Sequence, residues 1–313
     1  MAQIYKQKSK GENPFLDTLA QPPRNSTEKR GKNLKKRARS KWYTRNIVYS
    51  LVDLKSPLTK YYWRAYHCND CIQQEGKQLK SRYCNTRICH VCNRIRTAKM
   101  MNGYMKQLSC RDIEFVTLTV PNVCDTALAY TVENITKTIT IIMRKFRERK
   151  GISINGIRKI EITYNSNTNT YHPHLHLIVD KGGQLIVDEW LKRYPKANRK
   201  AQDCRRADEA SLNELFKYST KIIGNKQGEY LIYASALDTI MLSLQNKRCF
   251  QPFGDIRKVS EDVDDDLDAQ VYDIPEYDFM VWNWEDCDWV NKSRETLTGY
   301  ISPPDVVFQY VYT

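Results

Sequence analysis

The chain has 313 residues, with 50 Lys and Arg against 36 Asp and Glu, and a formal net charge of +14. Twelve Asp and Glu, and no Lys or Arg, fall in residues 259–291, so the rest of the chain is more basic than the total suggests. This distribution favours a polyanionic partner, nucleic acid first, and disfavours a hydrolase of small molecules. There is no apolar run of about 18 residues to span a membrane, and the N-terminus lacks an apolar signal segment. We therefore expect a cytoplasmic protein without membrane contacts.

The first 41 residues are basic and polar and contain Pro and Gly, which predicts a flexible arm. Residues 42–66 have helical periodicity, with apolar side chains at Ile47, Leu51, Leu54 and Leu58. This helical stretch and the cysteine-rich stretch after it are predicted to form one module over residues 42–110.

Half of the ten cysteines lie in residues 68–92, with two CxxC pairs among them. Four thiolates complete the tetrahedral shell of a structural zinc ion, and cysteines in this compartment are expected as thiols or metal ligands rather than disulfides. The candidates are Cys68, Cys71, Cys84, Cys89 and Cys92. Spacing alone leaves open which four bind zinc. Basic residues around the cluster are predicted to contact DNA, namely Arg87, Arg94 and Arg96.

Residues 111–259 are predicted to form an α+β domain. EFVTLTVPN (114–122) alternates like a strand that ends at Pro121, residues 126–150 read as a long helix, and strands at 157–164 and 171–179 flank the turn NSNTN. A helix is predicted over 207–223, more helix from 228, and a last strand within 248–259. This order predicts a ferredoxin-like antiparallel sheet with helices on one side. Residues 260–313 form an acidic segment, and its tryptophans predict docking onto the body.

Three of the five histidines lie in TYHPHLHLIVD (170–180). His172, His174 and His176 alternate, so on a strand they share one face while the apolar residues between them face a core. Imidazoles are costly to bury without partners, and a metal ion is a suitable partner. If the hairpin turn centres between residues 167 and 168, Glu161 lies opposite His174 and joins the histidine face as a further candidate ligand. A slip of one residue would move Glu161 to the other face, and an exposed Glu paired with Lys is an equal alternative.

The segment LNELFKYSTKII (212–223) places Glu214 and Tyr218 one helical turn apart. Lys217 and Lys221 lie beside the tyrosine and are also predicted to contact DNA. A phenol is a poor nucleophile unless a metal, a lysine or a base assists it, and a nearby carboxylate can accept a proton or activate water. The same pattern is also typical of a solvated helix face.

Five motifs occur in the order found in the replication initiators of rolling-circle plasmids. These are CNTRICHVC (84–92), FVTLTVPN, RKIEITYN, HPHLH and ELFKYSTK, with KRCFQPFGDIRK as a weaker sixth. Over residues 68–258 the chain therefore resembles this family, which belongs to the HUH endonuclease superfamily.

The resemblance implies an HUH core and a metal-dependent nicking and joining reaction. His174 and His176 would hold Mg or Mn, Tyr218 would attack one strand of the origin and become linked to the 5′ phosphate, and Glu214 would assist water in the terminating cleavage. It also favours Cys68, Cys84, Cys89 and Cys92 as the zinc ligands. The implied partners are single-stranded or supercoiled double-stranded plasmid origin DNA, a host helicase and a host DNA polymerase.

Two alternatives stay open at this point. One is a transposase or relaxase with the same HUH chemistry, and the other is a non-catalytic, zinc-stabilised DNA-binding regulator. The sequence predicts no oligomeric state.

Overall fold

A computed structural model describes residues 26–75, 78–108, 111–216, 223–226, 229–263, 279–303 and 307–312. The α-helices in these ranges are α1 (Ser26–Val52), α2 (Thr59–Tyr66), α3 (His90–Leu108), α4 (Asp125–Lys150), α5 (Gly183–Arg193), α6 (Glu209–Phe216) and α7 (Ala234–Ser243). The strands are β1 (Cys71–Glu75), β2 (Gln78–Ser81), β3 (Glu114–Thr119), β4 (Gly156–Asn165), β5 (Thr170–Val179), β6 (Asp203–Arg206), β7 (Ile223–Lys226), β8 (Glu229–Tyr233), β9 (Phe250–Phe253), β10 (Met280–Asn283), β11 (Asp288–Val290) and β12 (Val307–Val311). Among the described helices, none is both long and apolar enough to cross a membrane.

The largest sheet has five strands in the order β6-β3-β5-β4-β9, and all neighbours are antiparallel. The run β3-α4-β4-β5-α5-β6 has the strand-helix-hairpin-helix-strand order of the predicted ferredoxin-like sheet. Its second helix and last strand are α5 and β6, for which no element was predicted, and not the predicted helix over 207–223 and strand within 248–259. The segment 248–259 does contain a strand, β9, but it extends the opposite edge of the sheet beside β4.

The β4–β5 hairpin has the predicted register. Asn165 pairs with Thr170 across the turn, and Glu161 pairs with His174. Asn169 adopts a positive φ of 49°, which asparagine tolerates better than most residues and which explains its place in the turn. Pro173 lies in the middle strand, where a missing N–H normally breaks a ladder, but the pairing of β5 with β3 ends one residue away, at His174.

Helices cover both faces of this sheet. On the apolar face, Gly183 of α5 lies against the side chain of Val116, and Ile139 of α4 lines a cavity with Arg158 of β4. On the histidine face, the backbone of Glu214 in α6 accepts a hydrogen bond from Lys159 of β4. The prediction of helices on one side was therefore incomplete, because α6 packs over the face that carries the histidines.

The cysteine-rich module contains α1, α2, α3 and a sheet in the order β11-β10-β1-β2. Residues 26–41, predicted as part of the flexible arm, form the first half of α1, where Leu34 and Ala38 are buried one turn apart. Residues 1–25 lie outside the described residues. The strands β10 and β11 bring Trp282 and Trp289 into the core of this module, so the predicted docking of the acidic segment occurs through strand pairing.

Three helix predictions differ from the structure. The predicted helix over 42–66 is interrupted between Val52 and Thr59, which separates α1 from α2. The predicted helix over 207–223 is described only as α6, and Ile223 begins a strand instead. The helix predicted from 228 starts as β8, which pairs with β7 and with β12, and continues as α7.

Candidate active site

Three buried side chains meet on the histidine face of the large sheet. Glu161 comes from β4, and His174 and His176 come from β5; one ligand atom of each lies within 4.8 Å of those of the other two. All three are less than one-tenth exposed. The Nε2 atom of His176 is 3.5 Å from Oε2 of Glu161, so one ion at about 2.1 Å from each atom would fit between them. Two imidazoles and one carboxylate are therefore a suitable donor set for a divalent transition metal.

The hydrogen bond made by His174 fixes its tautomer. Nδ1 lies 3.1 Å from the carbonyl oxygen of His172, and because a carbonyl only accepts, Nδ1 carries the proton. Burial lowers the pKa of His174 to about 4, in spite of the opposing effect of Glu161. The imidazole is thus neutral near pH 7, and its Nε2 atom has a lone pair for a metal ion.

His176 is oriented by two contacts that the sequence analysis did not identify. Thr117 Oγ1 lies 3.1 Å from Nδ1 of His176, which leaves Nε2 directed at Glu161. The ring also stacks on Phe115, with the ring centres 5.3 Å apart. Partners of this kind set the orientation of metal-binding histidines. The signal was the alternation of FVTLT, since Thr117 pairs with His176 across β3 and β5 and therefore shares its face.

Lys159 is a further residue that the sequence analysis missed. Its ammonium lies 3.0 Å from Oε2 of Glu161 and 3.0 Å from the carbonyl oxygen of Glu214. Because Lys159 and Glu161 are both fully buried, the ion pair is shielded from water. The lysine thus connects the metal-binding candidates to α6. Its position two residues before Glu161, on the same face of the strand, was the available signal.

Of the remaining candidates, Glu214 and His172 lie near the three-residue group, and the other three are not described. Glu214 is half-buried in α6, and its backbone is tied to the histidine face through Lys159. His172 has its ring 5.3 Å from that of His174 but lies outside the three-residue group. Tyr218, Lys217 and Lys221 lie outside the described residues.

A second cluster joins four of the five candidate cysteines. Cys68, Cys84, Cys89 and Cys92 are buried, and their sulfur atoms lie within 4.8 Å of one another. Cys71 lies at the start of β1, outside this group. The structure therefore brings together the quartet that the family resemblance favoured.

The geometry of this cluster fits a tetrahedral zinc site. The sulfur of Cys92 is 3.5 Å from that of Cys68 and 3.6 Å from that of Cys84. Four ligands at about 2.3 Å from zinc are about 3.8 Å apart, close to these values. Backbone N–H groups also point at the sulfurs, including that of Thr86, 3.4 Å from Cys84 Sγ. Such donors stabilise thiolates, the form that binds zinc.

Two of the three arginines predicted to contact DNA donate hydrogen bonds to backbone carbonyl groups of the protein. The guanidinium of Arg87 donates to the carbonyl oxygens of Leu244, at 2.6 Å, and of Lys247, which follow α7. Arg96 is 3% exposed and donates to the carbonyl oxygen of Glu261. The guanidinium of Arg96 is therefore enclosed by protein. Arg94 is half-buried in α3.

Comparison with known proteins places this architecture in a family. The family described as "Replication protein" matches residues 75–182. A "Protein rep" of Staphylococcus aureus is 31% identical over 190 residues, which cover 53% of this chain and 79% of that protein. The chain belongs to the Rep family of replication proteins. A "Protein rep" of Streptococcus pneumoniae is 29% identical over 129 residues (37% of this chain, 40% of that protein), and one of Lactiplantibacillus plantarum is 26% identical over 181 residues (48% and 56%). No solved structure matches.

Membership of the Rep family confirms the predicted resemblance to plasmid replication initiators. The range that matches the family contains the three metal-binding candidates and three of the four clustered cysteines. Both clusters thus lie in or beside the part that the chain shares with the family.

Proposed function

We propose that this Rep protein initiates rolling-circle replication by nicking one strand of its plasmid origin. The observation that carries the proposal is the buried group of Glu161, His174 and His176, with α6 tied to it by Lys159. In a chain with a net charge of +14, such a metal-binding group beside a helix leading to a tyrosine suits phosphodiester chemistry on DNA. We also propose that the antiparallel sheet is an HUH endonuclease core.

Glu161, His174 and His176 would hold the divalent ion, and the two nitrogen donors favour Mn²⁺ over Mg²⁺, which prefers oxygen ligands. When bound, the ion supplies Lewis-acid stabilisation of charge on the oxygens of the scissile phosphate. Near pH 7 the neutral imidazole of His174 has a lone pair on Nε2 for the ion, and the contact of Thr117 with Nδ1 of His176 directs Nε2 of that ring at Glu161. Thr117 and Lys159 act as positioning residues.

Tyr218 would attack the scissile phosphorus, forming a bond from its phenolic oxygen to the 5′ phosphate while the bond from phosphorus to the 3′ oxygen breaks. The proton released by the phenol would pass to the leaving 3′ oxygen, which becomes a hydroxyl. The leaving 3′ hydroxyl would then prime synthesis by a host polymerase, with a host helicase separating the strands. Glu214 would accept the proton of a water in the terminating cleavage, so a second tyrosine is not needed. Cys68, Cys84, Cys89 and Cys92 would hold a zinc ion that stabilises the cysteine-rich module, and this module would contact the origin DNA.

The test uses the full chain and a single-stranded oligonucleotide from its plasmid origin, with Mn²⁺ present. Tyr218→Phe should abolish nicking and leave DNA affinity unchanged, because it removes only the nucleophilic oxygen. Glu214→Ala should nick but lose the water-dependent termination product. Tyr130→Phe, on the exposed side of α4, is the matched control and should behave as wild type.

The outcomes separate the alternative functions. Normal nicking by Tyr218→Phe would show that another residue is the nucleophile. DNA binding without nicking by the wild type, whatever the metal, would favour the non-catalytic regulator. Nicking and rejoining of a target unrelated to plasmid replication would favour a transposase or relaxase.

A further inference from the structure

A cavity of about 270 Å³ opens on the face of the large sheet opposite the three metal-binding candidates. It lies between α4 and the strands β4 and β9. The strand β4 contributes Arg158 to the lining of this cavity. Lys159 and Glu161 point to the histidine face, so Arg158, which lies next to Lys159 in the strand, points to the opposite face. The lining residues are Ile139, Thr140, Met143, Arg144, Arg147, Ser153, Ile154, Arg158, Gln251, Phe253 and Gly254.

Arg158 is an unusual residue for such a place. It is 8% exposed, and although Nη2 donates to Oε1 of Gln251 at 2.6 Å, the buried Nη1 atom has no hydrogen-bond partner. Within the described part of the chain it forms no ion pair with an acidic side chain. Burial lowers its pKa to about 10, so the guanidinium is still charged near neutral pH. A buried cation with an unsatisfied donor costs free energy that an anion in the cavity would recover.

The other charged residues around the cavity have the same sign. Arg144 and Arg147 project from successive positions along one stripe of α4, and no acidic residue belongs to the lining. Cations near the end of a helix are also favoured by its dipole, which accounts for the exposed arginines by themselves. It does not account for Arg158, which comes from a strand and is buried.

The remaining walls are apolar. Ile139, Met143, Ile154 and Phe253 line the cavity beside the guanidinium groups. An aromatic ring and aliphatic side chains next to a cluster of arginines match a ligand with a flat organic part and a phosphate. The burial of Arg158 favours a small molecule that can enter the cavity, since backbone phosphates of DNA are usually met by exposed side chains on an open surface.

We propose that this cavity binds a mononucleotide, with its phosphate on Arg158, Arg144 and Arg147 and its base against the apolar wall. The site is separate from the nicking centre, because the sheet lies between them.

The test is calorimetric titration of the full, zinc-loaded chain with deoxyadenosine monophosphate, without added divalent metal. Saturable binding is expected, and Arg158→Gln should weaken it by about tenfold or more, as expected for loss of a charge-assisted hydrogen bond. Arg149→Gln, a change of the same kind on α4 outside the lining, should leave affinity unchanged. Arg144→Gln gives a second, exposed variant whose fold is not at risk, and it should also weaken binding. His176→Ala should retain binding, which separates the cavity from the nicking centre.

Three results would overturn the proposal. The first is no binding by the wild type, and the second is equal affinity in wild type and in both Arg158→Gln and Arg144→Gln. The third is displacement of the mononucleotide by a short oligonucleotide whose own affinity falls in Arg158→Gln, which would assign the cavity to a DNA backbone phosphate. The proposal would be supported if inorganic phosphate and deoxyadenosine both bind more weakly than the mononucleotide. Inorganic phosphate lacks the base, and deoxyadenosine lacks the phosphate.

Discussion

The substitution Lys159→Met should destabilise the protein by about 3–5 kcal/mol, because it removes one partner of a buried ion pair. The ammonium is 3.0 Å from Oε2 of Glu161, and the two side chains are 3% and 1% exposed, so water cannot replace the lost partner. The same change deletes the hydrogen bond to the carbonyl oxygen of Glu214. Urea unfolding of the zinc-loaded protein, without added Mg²⁺ or Mn²⁺, measures the difference.

The comparison variant is Lys137→Met, which breaks the exposed pair between Lys137 and Glu133 on α4. Its free energy of unfolding should equal that of wild type, because exposed pairs contribute little. The double variant Lys159→Met/Glu161→Gln should recover most of the loss, since neither position then carries an unpaired buried charge. A loss below about 1 kcal/mol for Lys159→Met alone would refute the reasoning and show that water reaches the pair.

Three further predictions concern the two candidate metal sites. Cys84→Ser should lose the bound zinc and melt at a lower temperature, whereas Cys71→Ser should keep one zinc per chain, as measured by elemental analysis. Equal zinc content in the two variants would contradict the assignment of the four clustered cysteines as the zinc ligands. His176→Ala should abolish Mn²⁺ binding measured by paramagnetic resonance, whereas His172→Ala should retain it; loss in His172→Ala would add that residue to the ligands. Thr117→Val should weaken Mn²⁺ affinity by about 10–100-fold through the orientation of His176, and an unchanged affinity would exclude that positioning role.

The site was largely predictable because it depends on local sequence. The turn residues 165–169 determine the hairpin register, and the register determines that Glu161 shares a face with His174. The exposed-Glu alternative was wrong about exposure, since Glu161 is buried, but right that a lysine pairs with it. The burial of Lys159 depends on α6 folding over the sheet, and no local pattern reports that contact.

The parts that failed depend on long-range packing. β6 is a short strand with the sequence DCRR, which has no apolar alternation, and it forms only because the edge of β3 is free to pair. In the same way, residues 26–41 were predicted as a flexible arm because they are basic, although Leu34 and Ala38 form an apolar stripe with Trp42. This stripe is buried against residues of β10 and β11, far away in the sequence. Pairing between β1 and β10 also joins the cysteine-rich and acidic segments, which composition alone had separated.

The most direct test of the account is the mass of the protein–DNA product. The purified chain would be incubated with Mn²⁺ and single-stranded DNA of its own plasmid origin, denatured, digested, and the peptides carrying a nucleotide identified by mass spectrometry. The account predicts one modified peptide, with the nucleotide joined through its 5′ phosphate to Tyr218. An adduct on another residue, or specific cleavage without any covalent product, would contradict it.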